Sequence, residues 1–144
     1  MIITSSQIDI AVPREQVFEF MVDPAKFKLW HANVLEVTTT SGMDTGSTGA
    51  MEMQILGRRI ESSFKIEEND GVGLTRVHSS HGPLKYWTTQ VLEQKSPQLT
   101  RVNIYIKIDA GSVFMLAEPA LESIANSTME SDLKTLKAVL EDKS

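Results

Sequence analysis

The chain has 144 residues, 41% hydrophobic and 23% charged, with a net charge of −5 and no cysteine. That is the length and balance of one soluble domain, and the acidic charge speaks against nucleic acid or an anionic membrane as main partner. Missing thiols exclude disulfides and thiolate chemistry and fit a cytoplasmic setting; no apolar run nears the ~20 residues of a membrane span.

Met1 to Ser6 lacks the basic and apolar regions of a signal peptide. Ile2 to Ala11 reads as a strand, with Thr4, Ser6, Ile8 and Ile10 on one side. Val12-Pro13 ends it, and proline suits the first helical position. Arg14 to Val22 then reads as a short helix and Ala25 to Leu29 as a second, separated by Asp23-Pro24 because the residue before proline avoids the helical region.

From Val34 the period becomes two. Strands are predicted over Val34–Thr40, Ala50–Leu56, Arg58–Glu67, Leu74–His81, Lys85–Gln94 and Thr100–Asp109, with turns at Gly57, Asn69-Asp70-Gly71, Gly82-Pro83 and Lys95 to Gln98. Ile60, Ser62, Phe64 and Ile66 share one face; Thr100, Val102, Ile104, Ile106 and Ile108 share another. For Leu74–His81 and Lys85–Gln94 the alternation leaves the inward face open. Ala117 to Leu140 is one amphipathic helix of about 24 residues, roughly 36 Å long. Leu121, Ile124, Ala125, Met129, Leu133, Leu136, Val139 and Leu140 lie on its apolar face. Short connections imply antiparallel pairing, and strands segregated from helices imply an α+β fold over residues 1–144 as one domain. The last helix is the element large enough to cover the sheet. Its later half is nearly continuous apolar surface; its earlier half carries Thr128 and Asp132 inward, as one wall of a pocket.

Val12-Pro13-x-x-x-Val17-Phe18 with Asp23-Pro24, then Trp30-x-x-x-Val34-x-x-Val37, resembles the opening of polyketide cyclase/dehydrase-like proteins of the START-related SRPBCC superfamily. Gly57-Arg58-Arg59, Gly82-Pro83 and Leu133-x-x-Leu136-Lys137-x-x-x-Glu141 agree with that pattern. The resemblance implies a helix-grip fold: a curved seven-stranded antiparallel sheet wrapped around the C-terminal helix, with two short helices between strands 1 and 2. It also implies a cavity for an apolar small molecule between sheet and helix. Some members carry an iron site of histidines and a carboxylate, and no matching motif occurs here.

Asp132 is the anomaly of the apolar face. A buried unpaired carboxylate costs several kcal/mol, so it must be paired, protonated or facing a wet cavity. It is read either as an acid/base or anchoring group, or as the partner of a strand arginine or a residue at the stripe's edge. His78, on the parity of Leu74 and Arg76, is read either as an inward base or as a surface residue. Asp132, His78 and Tyr86 are the catalytic candidates. Trp30, Met51, Met53, Phe64, Trp87, Phe114, Met115 and Thr128 join them as candidate ligand-binding residues, since aromatic and thioether surface with a few polar groups lines small-molecule pockets; each of them is also suited to filling a core. Arg58, Arg59 and Arg76 are possible anchors for an acidic group, with Arg58 and Arg76 on the more inward parity. Histidines 31, 78 and 81 have no metal-ligand spacing, so no metal and no cofactor is expected. There is no G-x-S-x-G, P-loop, dinucleotide fingerprint or Cys–His pair.

Three functions are compatible with this sequence. The first is binding of a hydrophobic small molecule of lipid, polyketide or aromatic type. The second is a cyclase/dehydratase-type enzyme using acid/base groups in the same cavity. The third is a protein-interaction module without ligand. The partner expected is a hydrophobic small molecule, with no nucleic acid and no stable membrane insertion; a homodimer is also compatible.

Overall fold

Seven strands form one antiparallel sheet among the described residues of the computed structural model, which are 1–39, 42–111 and 117–142. The strands are β1 (Ile2–Ile10), β2 (Val34–Thr39), β3 (Thr48–Ile55), β4 (Arg58–Asn69), β5 (Leu74–His81), β6 (Leu84–Ser96) and β7 (Leu99–Ala110). Between β1 and β2 lie α1 (Arg14–Met21), a 3₁₀ turn (Pro24–Lys26) and α2 (Phe27–Trp30); α3 (Glu118–Glu141) follows β7. The spatial order is β1-β7-β6-β5-β4-β3-β2. Strands β2 to β7 therefore run as a meander, and the first strand pairs with the last.

Local chemistry explains the turns. Leu56 and Gly57 both have positive φ, 53° and 74°, the requirement of a two-residue hairpin whose twist matches its strands. The Asp70 carboxylate accepts N–H bonds from Val72, Gly73 and Leu74 at 2.8, 2.9 and 2.9 Å. The bonds from Leu74 and Gly73 chiefly hold its carboxyl below the usual range. Strands β4, β6 and β7 run 12, 13 and 12 residues, about twice the ordinary length. Irregular registers in β2, β4 and β6 bend them further.

The core divides between the two ends of α3. At its C-terminal end Met129, Leu133, Leu136 and Leu140 pack with α1 and with Leu92, Val102 and Ile104 of the sheet. At its N-terminal end Leu121 packs with Ile2, Ile60 and Leu84 in a smaller cluster. The clamp expected of the later half of the helix is therefore present. Asp9 and Glu141 tie the same end: Glu141 accepts from the Ala11 N–H at 2.8 Å, and Lys137 donates to the Asp9 carbonyl at 2.8 Å.

Several boundaries differ from the sequence expectation. The predicted helix Ala25–Leu29 is divided, because Asp23 caps a 3₁₀ turn through the Ala25 N–H and α2 starts only at Phe27. The hairpins are tighter than predicted: β6 reaches Ser96, which pairs with Leu99.

Candidate functional site

The sheet and α3 enclose a cavity of two adjoining lobes, of about 240 and 200 Å³. The larger lies toward β3, β4 and β5, and the smaller toward β7 and the first half of α3. Together they enter the lower part of the size range of small-molecule sites. The walls of the larger lobe include Met21, Met43, Met51, Met53, Phe27 and Phe64. Those of the smaller include Trp30, Ile104, Ile106, Ile108 and Ile124.

Phe64 reaches the cavity because its cross-strand neighbour is Gly49. A Cβ at Gly49 would lie 2.5 Å from the Phe64 ring and 2.6 Å from the Thr38 carbonyl oxygen. The glycine leaves the space the ring occupies.

Asp132 faces inward and is 8% exposed. Its Oδ2 lies 3.2 Å from His31 Nδ1, and its Oδ1 accepts the Ala32 N–H at 3.1 Å. The chain leaves α2 at His31 with extended backbone, which frees that N–H from helical bonding. The His31 ring lies against Trp30, centroids 3.6 Å apart, and meets Phe27 edge-on at 5.5 Å. Asp132 therefore has a histidine and a backbone N–H as partners, not the strand arginine considered from sequence. Thr128, one turn earlier, accepts from Asn33 Nδ2 at 3.5 Å, a long contact.

Tyr86 lines the larger lobe. Its buried hydroxyl has no hydrogen-bond partner among the described residues. Burial raises its phenol above the ordinary range, and the nearby Ser62 hydroxyl offsets part of that without well-formed bonding geometry. At neutral pH the group is a donor. Trp30 is buried and its indole nitrogen is likewise without a partner.

Three candidates, His78, Arg76 and Trp87, fall on the outer face. His78 does not line the cavity. Ile66 of β4 points inward and pairs with Val77, so Thr75 and Val77 face the cavity while His78 and Arg76 face out. There His78 Nε2 lies 3.3 Å from Glu67 and Arg76 pairs with Glu68 at 3.1 Å. Trp87 follows the same alternation: Tyr86 and Thr88 point inward, and Trp87 stands on the outer face, 39% exposed, with Lys107 over its ring. Arg59 pairs with Glu52 at 2.7 Å, and Arg58 is exposed and lines neither lobe. Phe114 and Met115 lie outside the described residues.

Sequence reasoning missed His31, Asn33, Thr88 and Gln90, all of which border the cavity. His31 gives no local signal, since its partner is 101 residues away. Thr88 and Gln90 were findable: once Tyr86 is placed inward, they follow by alternation. Among the described residues no group of three metal-ligating side chains is present, and no helix is long and apolar enough to cross a membrane.

No match is found among curated proteins. The structure is similar to that of TTHA0849 from Thermus thermophilus, with 20% identity, a TM-score of 0.84 and 99% of each chain covered. It is similar to a START superfamily protein from Mycobacterium smegmatis, at 13% identity, TM-score 0.82 and 99% of each chain. It also resembles the di-domain ARO/CYC BexL of the BE-7585A biosynthetic pathway, at 17% identity and TM-score 0.73, over 98% of this chain and 47% of that one. These likenesses establish the helix-grip fold. The family described as polyketide cyclase/dehydrase and lipid transport matches residues 1–141, and the chain belongs to that family.

Proposed function

We propose that this protein binds an apolar small molecule in the cavity between the sheet and α3, as a carrier or sensor. The observation that carries this reading is the two-lobed cavity itself, walled by methionines, aromatic rings and branched aliphatics. Methionine walls adapt to irregular ligands. The family's description names both lipid transport and cyclase chemistry, and either needs such a cavity. Purified protein should release an apolar molecule on solvent extraction, or bind the neutral dye Nile red saturably with a blue-shifted emission. An empty extract together with no saturable dye binding would sink the reading.

A second reading, a cyclase/dehydratase-type enzyme, draws on the His31–Asp132 pair. Asp132 orients the imidazole, and no partner of Nε2 is present among the described residues. In this reading Nε2 takes a proton from the carbon beside a ligand carbonyl, the C–H electrons pass to the oxygen as an enolate, and the imidazolium returns a proton to carbon. A symmetric ketone incubated with the protein in D2O should exchange its α-hydrogens, followed by NMR. Exchange no faster than with His31→Gln removes the enzyme reading.

A further inference from the structure

The two lobes meet at a polar band. His31, Asn33, Thr88, Gln90, Thr128 and Asp132 border both, and Ile55 is the apolar residue they share. A molecule filling both lobes passes through this band with its middle, not with an end.

The band has donors to offer and no counter-ion for an anion. Gln90 Oε1 accepts from the Thr75 hydroxyl at 3.2 Å, so the amide N–H groups remain; they have no hydrogen-bond partner among the described residues. The Thr88 hydroxyl likewise has none. Both Asp132 oxygens are already engaged. No lysine or arginine lines either lobe among the described residues. The one group in the band able to carry positive charge, the His31 imidazole, is already paired with Asp132 at 3.2 Å. A carboxylate or phosphate placed here would lose its hydration and face the Asp132 carboxylate with no unpaired cation among the described residues. A neutral oxygen would find two donors.

We infer that the ligand is uncharged, with apolar parts in both lobes and a hydrogen-bond-accepting oxygen, such as a carbonyl, at its middle. The inference rests on the binding reading above and excludes fatty-acid anions as the ligand class.

The test is displacement of Nile red by three thirteen-carbon probes: tridecane, 7-tridecanone and tridecanoate. The ketone should bind at least tenfold more tightly than the carboxylate. Gln90→Leu should weaken the ketone relative to tridecane about 2- to 12-fold, the size of one neutral hydrogen bond. Thr88→Val, which keeps the side-chain shape, should act in the same direction if Gln90→Leu fails to fold. Asp132→Asn, which removes the negative charge from the band, should strengthen tridecanoate several-fold. Tridecanoate binding as tightly as the ketone, or ketone affinity indifferent to both polar variants, overturns the inference while leaving the cavity a binding site. Absence of dye binding and of all three probes overturns the binding reading and this inference with it.

Discussion

The Asp132 carboxylate bridges α3 to the exit of α2, with Oδ2 3.2 Å from His31 Nδ1 and Oδ1 accepting the Ala32 N–H at 3.1 Å. Removing it leaves a partly buried ring and a backbone donor unsatisfied. Asp132→Ala should lower unfolding free energy by about 1–3 kcal/mol, measured in urea. Asp132→Asn keeps an acceptor for the Ala32 N–H and should lose less. Equal losses for the two variants would show that the carboxylate's acceptor role is irrelevant to stability.

Gly49 and Phe64 are a second coupled pair. Any Cβ at position 49 collides with the Phe64 ring and the Thr38 carbonyl. Gly49→Ala should move the ring into the larger lobe and weaken dye binding several-fold. Phe64→Leu in the Gly49→Ala background should recover part of that affinity. Additive effects of the two substitutions would contradict the coupling.

Folding stability should reside mainly at the C-terminal end of α3. Leu136 is 0% exposed inside the larger core cluster, so Leu136→Ala should cost about 2–5 kcal/mol. Met53 is half-buried and already faces a void. Met53→Ala should cost about half as much or less, and should change ligand affinity more than Leu136→Ala does. Chemical denaturation and dye titration of both variants check the two halves of this statement.

Acid should loosen the same end. The Ala11 N–H, and then Lys137, hold Glu141 below its ordinary value of 4.5. A carboxylate with a depressed folded pKa contributes stability that is fully present above its unfolded value. That contribution is lost as pH falls through the folded value. Asp9, held down chiefly by its hydrogen bond with Arg101, has the same sign. Both side chains are solvent-accessible, so each effect is small. Glu141→Gln should reduce the fall in Tm between about pH 5 and pH 3; an unchanged slope would remove this residue from the acid response.

The sheet was legible wherever one face of a strand is uniformly apolar. Ile60, Phe64 and Ile66 are buried as their alternation predicts, and so are Val102 and Ile104. The order of elements followed from turn chemistry and from the change of period at Val34. In β5 the signal fails, because Thr75, Val77 and Ser79 oppose Leu74, Arg76 and His78 with no clear apolar side. The register with β4 decides the face instead, and register is a non-local property. The adjacent aromatics Tyr86 and Trp87 had to point apart, and their sequence does not say which is inside. Asp132 was conspicuous as a charge on an apolar stripe; its partner His31 was not, because the contact joins distant segments.

Met43, Met51 and Met53 of the larger lobe sit apart from the residues that hold α3 to α1 and to strands β6 and β7, whereas Met21 belongs to both groups. Substitutions at Met43, Met51 and Met53 can therefore reshape what the protein accepts while the larger core cluster is left intact. The same separation means that specificity and foldability can drift independently over evolutionary time. Descendants of one such sequence can diverge in the molecule they hold long before their backbones do.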